Sequence, residues 1–160
     1  HPNPEESYSG DAILARFIPQ TKNLVLETNV YPTGTNRNLN IIMSIDDEDK
    51  WFASYGCAIY IQFDANGKLR VLWRDRMDRY VWREAMTYTP NQWYKVRIEA
   101  DIEAQQYNLY VNDRQVYSDA QFYYPQERID FVVIRQARLE PTFPPVPDVY
   151  VDNLVIWTND

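Results

Sequence analysis

Apolar residues recur at every second position along nearly the whole chain, and this pattern restricts the fold more than any other feature. Side chains of a β-strand point alternately to its two faces, so a period of two predicts strands with one buried face. No stretch of a dozen residues shows the helical period of about 3.6. The predicted strands are residues 12–19, 23–31, 39–45, 57–63, 68–73, 79–84, 93–101, 106–112, 129–136 and 149–157.

Turn-forming residues separate these strands. Asn66-Gly67 predicts a hairpin turn, because glycine supplies the positive φ that a tight turn needs. The proline-rich stretch 139–148 is interpreted as a loop between sheets, and one helical turn is expected near residues 118–127. Many short, regularly spaced strands are typical of an all-β, antiparallel two-sheet sandwich or jelly roll, here predicted as a single domain over residues 1–160.

The alternation also assigns side chains to faces. In residues 57–63, Cys57 and Ile59 are expected to point to the core, whereas Tyr60 and Gln62 point outward. If consecutive strands pair as hairpins, one outer surface collects polar, aromatic and cationic side chains. The residues expected on that surface are Tyr60, Gln62, Arg70, Tyr80, Trp82 and Arg97.

Charge and composition exclude several kinds of partner. The formal net charge of −7 argues against nucleic acid, because phosphate binding needs a basic surface. Cys57 and His1 are the only residues of their types, so an intrachain disulfide, a zinc site and a histidine-dependent nucleophile are not expected. No run of about 18 apolar residues occurs, so no membrane insertion is expected.

Residues 73–84 are unusual in an acidic chain, because four of its 16 basic residues lie there among three large aromatic rings. One interpretation is a salt-bridged pair of strands, in which each exposed ion pair contributes about 0–1 kcal/mol. The other is a ligand surface, on which an exposed Trp82 stacks on a sugar ring and Arg74 or Arg83 holds a carboxylate. The sequence leaves both interpretations open.

Three stretches resemble a known superfamily. Residues 91–113, "NQWYKVRIEADIEAQQYNLYVND", and 148–157, "DVYVDNLVIW", are similar to the late strands of concanavalin A-like jelly rolls. Residues 15–32, "ARFIPQTKNLVLETNVYP", resemble the opening strands of such domains, including LamG-like ones, in secreted bacterial polysaccharide-degrading enzymes. The resemblance implies a sandwich with one concave sheet that serves as a lectin, a carbohydrate-binding module, a glycanase or a lyase.

The favoured function is therefore non-catalytic binding of an acidic polysaccharide, uronate-containing or sulfated, on the concave sheet. The resemblance further implies a secreted, periplasmic or cell-surface protein that forms part of a larger multidomain enzyme. Aromatic stacking and arginine contacts are expected to hold the glycan. The predicted ligand-binding residues are Tyr60, Gln62, Arg70, Arg74, Tyr80, Trp82, Arg83 and Arg97.

Enzymatic alternatives come from two patterns. Glu99, Asp101 and Glu103 have the spacing of retaining laminarinase-type glucanases, in which two carboxylates lie about 5 Å apart. That reading requires one strand face, whereas residues 101–105 are expected to turn between two strands. A polysaccharide lyase with a tyrosine base and an arginine that neutralises a uronate is a second alternative. A structural accessory domain of a larger enzyme is a third.

No cofactor is required for glycan binding, although structural calcium is an open prediction. Carboxylate and amide oxygens suit Ca²⁺, and they occur in residues 46–50, at Asp11 and Asp64, and in the Asp152-Asn153 pair. Asp152 is the favoured metal ligand among them.

Overall fold

The described residues form eleven β-strands and no helix in this computed structural model. The structure describes residues 12–33, 37–46, 56–74, 79–138 and 150–158. Within those ranges no helix is long and apolar enough to cross a membrane. The strands are β1 Ala12–Gln20, β2 Asn23–Val30, β3 Arg37–Ser44, β4 Ile59–Phe63, β5 Lys68–Arg74, β6 Tyr80–Thr87, β7 Tyr94–Asp101, β8 Gln106–Val111, β9 Arg114–Gln121, β10 Ile129–Arg138 and β11 Val151–Trp157.

The strands form two sheets in which neighbouring strands run antiparallel. One sheet has six strands in the order β1-β10-β3-β4-β5-β6, and the other has five in the order β11-β2-β7-β8-β9. Strand β9 also contacts β5 and β6, so these edges of the two sheets lie together. The predicted all-β antiparallel sandwich is confirmed.

The core forms between the inner faces of the two sheets. Strand β7 alternates strictly, with Val96 and Ile98 buried and Arg97 and Glu99 partly exposed. Burying one aliphatic side chain of this kind contributes about 1.5–3 kcal/mol. The largest fully buried side chains of this core include Leu24, Leu26, Leu39, Ile41, Met43, Ile59, Ile61, Phe63, Leu69 and Tyr107.

Strand β9 is the one described strand that the sequence did not predict, and the helical turn expected at residues 118–127 is absent. Its pairing with β8 shifts register on both sides of Leu109, so the period of two is interrupted. Asp119 has a φ of 51°, and its backbone N–H donates to Asn108 Oδ1 at 3.1 Å. A bulged edge strand loses the alternation by which strands are recognised.

Cys57 does not face the inner core as predicted. It precedes β4, so the alternation of that strand does not extend to it. Its side chain is buried instead in a second apolar cluster on the other face of the six-stranded sheet. The outer cluster consists of Ile42, Cys57, Tyr60, Leu72, Tyr123, Phe131 and Val133, with Trp82 packed against it.

Burial of Cys57 gives a prediction for alkaline solution. Desolvation raises the pKa of the thiol from 9.0 to about 12. Between those values the unfolded chain loses a proton that the folded chain keeps, so stability falls as pH rises above about 9. Urea unfolding of Cys57→Ala and wild type at pH 8 and about 10.5 should show a decline shallower by about 2 kcal/mol in the variant. Equal declines would contradict the burial of this thiol.

Candidate functional site

A row of polar side chains crosses the outer face of the six-stranded sheet, the face turned away from the five-stranded sheet. The strand register places Gln62 opposite both Asn40 and Arg70. It also places Arg135 opposite Asn40, and Glu84 opposite Arg70. These pairings align five side chains, one from each of β10, β3, β4, β5 and β6. We call them the polar row: Arg135, Asn40, Gln62, Arg70 and Glu84.

Hydrogen bonds fix the centre of the polar row. Arg70 Nη2 donates to Gln62 Oε1 at 2.6 Å, and Gln62 Nε2 donates to Asn40 Oδ1 at 3.0 Å. Gln62 and Asn40 are both buried. Because burial of an amide without a partner is costly, these contacts hold the Gln62 amide in one orientation.

Asp64 links the polar row to the β4–β5 turn. One carboxylate oxygen, Oδ1, accepts the backbone N–H groups of Asn66 and Lys68 at 2.9 and 2.8 Å. The other, Oδ2, lies 3.0 Å from Arg70 Nε as an ion pair. Gly67 in this turn has a φ of 76°, which confirms the predicted Asn66-Gly67 turn. The same buried carboxylate therefore closes the turn and holds the guanidinium.

Trp82 supplies an aromatic surface beside Arg70. The guanidinium carbon of Arg70 lies 5.0 Å from the Trp82 ring centroid, within cation–π distance. The Tyr60 ring packs edge-to-face against Trp82, with the ring centroids 5.2 Å apart. Trp82 is partly exposed, whereas Tyr60 is 7% exposed. Tyr60 therefore supports the indole more than it presents its own ring to solvent.

Arg74 and Tyr124 extend this surface. Arg74 shares the face of Arg70 by alternation, and its guanidinium carbon lies 5.6 Å from the Tyr124 ring centroid. Tyr124 is held beside β4 because its backbone N–H donates to the Cys57 carbonyl at 3.2 Å. Tyr80 lies opposite Arg74 in the strand register.

Two of the predicted ligand-binding residues, Arg83 and Arg97, lie away from this outer face. For Arg97 the prediction of one shared surface was wrong. Arg83 lies opposite Val71 on the inner side of the sheet edge, 4.2 Å from the Trp73 ring centroid. Arg97 belongs to the five-stranded sheet, where its guanidinium lies 4.3 Å from the Tyr110 ring centroid. The structure therefore brings together Tyr60, Gln62, Arg70, Arg74 and Trp82, with Tyr80 in register.

The salt-bridge interpretation of residues 73–84 is only partly testable, because residues 75–78 lie outside the described residues. Glu84 pairs with Lys68 at 2.9 Å rather than with an arginine of that stretch. Arg83 lies over Trp73. Arg74 and Arg83 of this hairpin thus each lie over an aromatic ring.

The glutamates of the predicted glucanase pattern do not share a strand face. Strand β7 ends at Asp101, whose Oδ1 accepts the backbone N–H of Ala104 at 2.8 Å. Glu103 lies in the turn that follows. Glu99 lies beside Arg97 on the outer face of the five-stranded sheet, with Glu99 Oε1 3.3 Å from Arg97 Nε. These residues form the end of the β7–β8 hairpin, which confirms the predicted turn at residues 101–105.

No group of three or more metal-binding side chains occurs within the described ranges. Asp152 is exposed and accepts a hydrogen bond from Asn153 Nδ2 at 2.9 Å. Asp11 and residues 47–50 lie outside the described residues. Calcium therefore stays a prediction.

Comparison with known proteins identifies the family. Residues 11–150 match the family model described as "Sialidase-like, CBM domain", in which CBM denotes a carbohydrate-binding module. The chain belongs to the sialidase-like CBM family. Carbohydrate binding is accordingly the function class of this domain. A search of curated protein sequences returns no match.

Solved structures support the fold assignment of the CBM domain. A structure entitled "Sialidase" matches 97% of the chain with a TM-score of 0.72 and 15% identity, and the chain spans 15% of that protein. Sheep galectin-11, solved with glycerol, matches 92% of the chain and 98% of its own length with a TM-score of 0.62 and 10% identity. The homodimeric agglutinin CG-16 from chicken liver matches 92% of the chain and all of its own, with a TM-score of 0.60 and 9% identity. The predicted concanavalin A-like jelly roll is confirmed.

Asp64 should be far more important for stability of the CBM domain than the equivalent aspartate of the β7–β8 turn. Asp64→Ala leaves two backbone N–H groups and Arg70 without their carboxylate, at a cost of about 2–4 kcal/mol. Asp101→Ala is the matched control, because exposed Asp101 accepts one turn N–H, at 2.8 Å. Urea unfolding should show a loss of about 1 kcal/mol or less for the control. Equal losses would contradict the role assigned to Asp64.

Proposed function

We propose that this CBM domain binds an acidic glycan on the outer face of the six-stranded sheet, where Trp82 and Arg70 contact the sugar. The observation that carries the proposal is the fixed position of the Arg70 guanidinium beside a partly exposed indole. Gln62 and Asp64 hold that guanidinium from two sides, at 2.6 and 3.0 Å. Family membership supports carbohydrate as the ligand class.

The site needs little reorganisation to bind. Ordering a long side chain at an interface costs about 0.5–1.5 kcal/mol, and Arg70 is already ordered by its partners. Tyr60 fixes the Trp82 ring from the buried side in the same way. A sugar that contacts these groups therefore retains more of its interaction energy.

The chemistry of these groups suits a sugar. A pyranose ring presents apolar C–H groups that can pack on the exposed part of Trp82, as bases stack on aromatic side chains. The Arg70 guanidinium beside the ring can donate hydrogen bonds to hydroxyl groups. The aromatic surface thus supplies affinity, and the polar row supplies orientation.

The charge of the outer face favours an acidic sugar. Around the polar row, the described cationic side chains are Lys68, Arg70, Arg74 and Arg135, and the described acidic ones are Asp64 and Glu84. Arg74 is the last residue of β5 and lies on the same face as Leu72, two positions earlier. Its planar guanidinium can there form two hydrogen bonds to a carboxylate or sulfate of a bound glycan. Uronates and sulfated sugars fit this chemistry, and the sialidase likeness adds sialic acid, another carboxylated sugar.

The wider role follows from the size of the sialidase that the chain resembles. Since this domain spans 15% of that protein, we infer that it is one module of a larger secreted or cell-surface enzyme. Such a module would hold the enzyme on its polysaccharide while another domain carries out the reaction. Glycan binding through the outer face requires no metal, and calcium would act only structurally.

Binding of acidic glycans should depend on Trp82 and on the planar guanidinium of Arg70. Calorimetric titration with polygalacturonate oligomers, a sulfated galactan, sialyllactose and a neutral glucan should show tightest binding for an acidic ligand. Trp82→Ala should weaken it by about 1–3 kcal/mol, by analogy with ring-on-base stacking. Arg70→Lys should also weaken it, because lysine lacks the planar fork. Added salt should weaken binding further, since exposed charge contacts are screened over about 8 Å.

Arg83→Lys is the matched control for Arg70→Lys, because Arg83 lies on the opposite side of the sheet edge. It should bind the acidic ligand as wild type does, and thermal melts should show that all three variants fold. Equal binding by folded Trp82→Ala, Arg70→Lys and Arg83→Lys would exclude the outer face as the site. Preference for the neutral glucan, without salt dependence, would exclude the acidic specificity.

A further inference from the structure

We propose a second carbohydrate site, for a neutral pyranose, at the end of the five-stranded sheet where Tyr31, Trp93 and Tyr150 meet. Tyr31 directly follows β2, Trp93 directly precedes β7, and Tyr150 directly precedes β11. These three strands are neighbours in the sheet. The three rings, which we call the aromatic row, share no residue with the polar row or with Trp82.

The strand register explains why the three rings point outward. Val30 is paired with Val151 on one side and with Tyr94 on the other, and the side chains of all three pack into the inner core. Consecutive residues of a strand face opposite sides of its sheet. Tyr31, Trp93 and Tyr150 therefore continue the outer face of the five-stranded sheet by one position.

Backbone contacts hold the aromatic row in place. The Tyr31 backbone N–H donates to the Tyr150 carbonyl at 3.1 Å, and the Asn91 N–H donates to the Pro32 carbonyl at 2.9 Å. In the loop before β7, the Thr89 N–H donates to the Tyr94 hydroxyl at 2.9 Å. The rings are therefore carried by ordered backbone on all three sides.

The rings themselves form a stepped, half-exposed surface. The Tyr31 centroid lies 5.5 Å from that of Trp93, with the planes at 61°, and 5.8 Å from that of Tyr150, with the planes at 79°. Trp93 is 51% exposed and Tyr150 is 45% exposed. Edge-to-face packing on the central Tyr31 fixes both outer rings while leaving part of each open to a ligand.

Hydrogen-bonding groups lie immediately beside the aromatic row. One position further into the sheet, Asn29 is paired with Asp152 on one side and with Lys95 on the other. The Asn29 side chain is partly exposed there. Aromatic faces next to carboxylate, amide and ammonium groups are the combination that recognises a ring with both C–H faces and hydroxyl groups.

The charges beside the aromatic row select a neutral sugar. Lys95 is already engaged, because its ammonium lies 2.9 Å from Asp113 Oδ1 and 3.5 Å from Glu27 Oε2. The Asp113 and Glu27 carboxylates raise the pKa of Lys95, so it stays charged and paired. With Asp152 also acidic, a uronate or sulfate would meet net repulsion here, whereas hydroxyl groups would not. The two sites therefore differ in the charge of the sugar they accept.

Nuclear magnetic resonance can test the second site on the wild-type protein. A ¹⁵N-labelled sample is titrated separately with the methyl pyranosides of glucose, galactose, mannose, xylose and N-acetylglucosamine, and the tryptophan indole signals are assigned with Trp→Phe variants. At least one neutral glycoside should shift the Trp93 indole signal saturably. Tyr150→Ala should weaken that response about tenfold, equivalent to about 1.4 kcal/mol and typical of a lost stacking ring.

Trp157→Phe is the matched control, because Trp157 is 37% exposed at the opposite end of β11. This variant should leave the Trp93 response unchanged. The absence of any saturable shift at Trp93 with all five glycosides would overturn the second site. The same samples titrated with acidic oligosaccharides report the first site through Trp82, so a response at Trp82 alone or at Trp93 alone separates the two proposals.

Discussion

The register between β4 and β5 is the constraint on which the binding face depends. The Asp64 carboxylate accepts two turn N–H groups, and Gly67 adopts the positive φ that closes the turn. A slip of one residue would move every side chain of a strand to the other face. Arg70 would then enter the core and Val71 would leave it. The turn therefore decides which chemistry the outer face presents.

Side chains on this outer face pack and hydrogen-bond with one another rather than extending separately into solvent. A second apolar cluster lies on it, and the polar row crosses it with Gln62 and Asn40 buried. Sheets that face water on one side usually expose alternate polar side chains. Here the hydrogen bonds of Gln62 and the ring contact between Tyr60 and Trp82 hold these groups in one arrangement. Such order lowers the cost of binding a ligand with many weakly interacting hydroxyl groups.

Sequence periodicity predicted faces well and sheet membership poorly. It placed Ile59 inside and Gln62 and Arg70 outside, because unbulged strands keep strict alternation. It could not place Arg97, since alternation gives the face of a strand but not the sheet that the strand joins. The face of Arg83 could have been predicted from the alternation, because a residue next to Trp82 on the same strand must face the other way.

The remaining site residues could not be predicted from the sequence, because their contact partners lie far apart in the chain. Asn40 joins the polar row only because β3 pairs with β4. Tyr124 reaches Arg74 only because its backbone N–H donates to the Cys57 carbonyl, just before β4. The aromatic row similarly depends on three strand ends that meet in the folded sheet. Each of these residues looks ordinary in its own segment. Only the strand order converts them into sites.

Intermolecular NOE measurement on the complex with the tightest acidic oligosaccharide tests the central claim most directly. Sugar ring protons on the outer face should give NOEs to the indole protons of Trp82, since that ring lies beside the Arg70 guanidinium. Trp73, which lies under Arg83 on the other side of the same sheet edge, should give none. Sugar NOEs to Trp73 without any to Trp82 would contradict binding on the outer face.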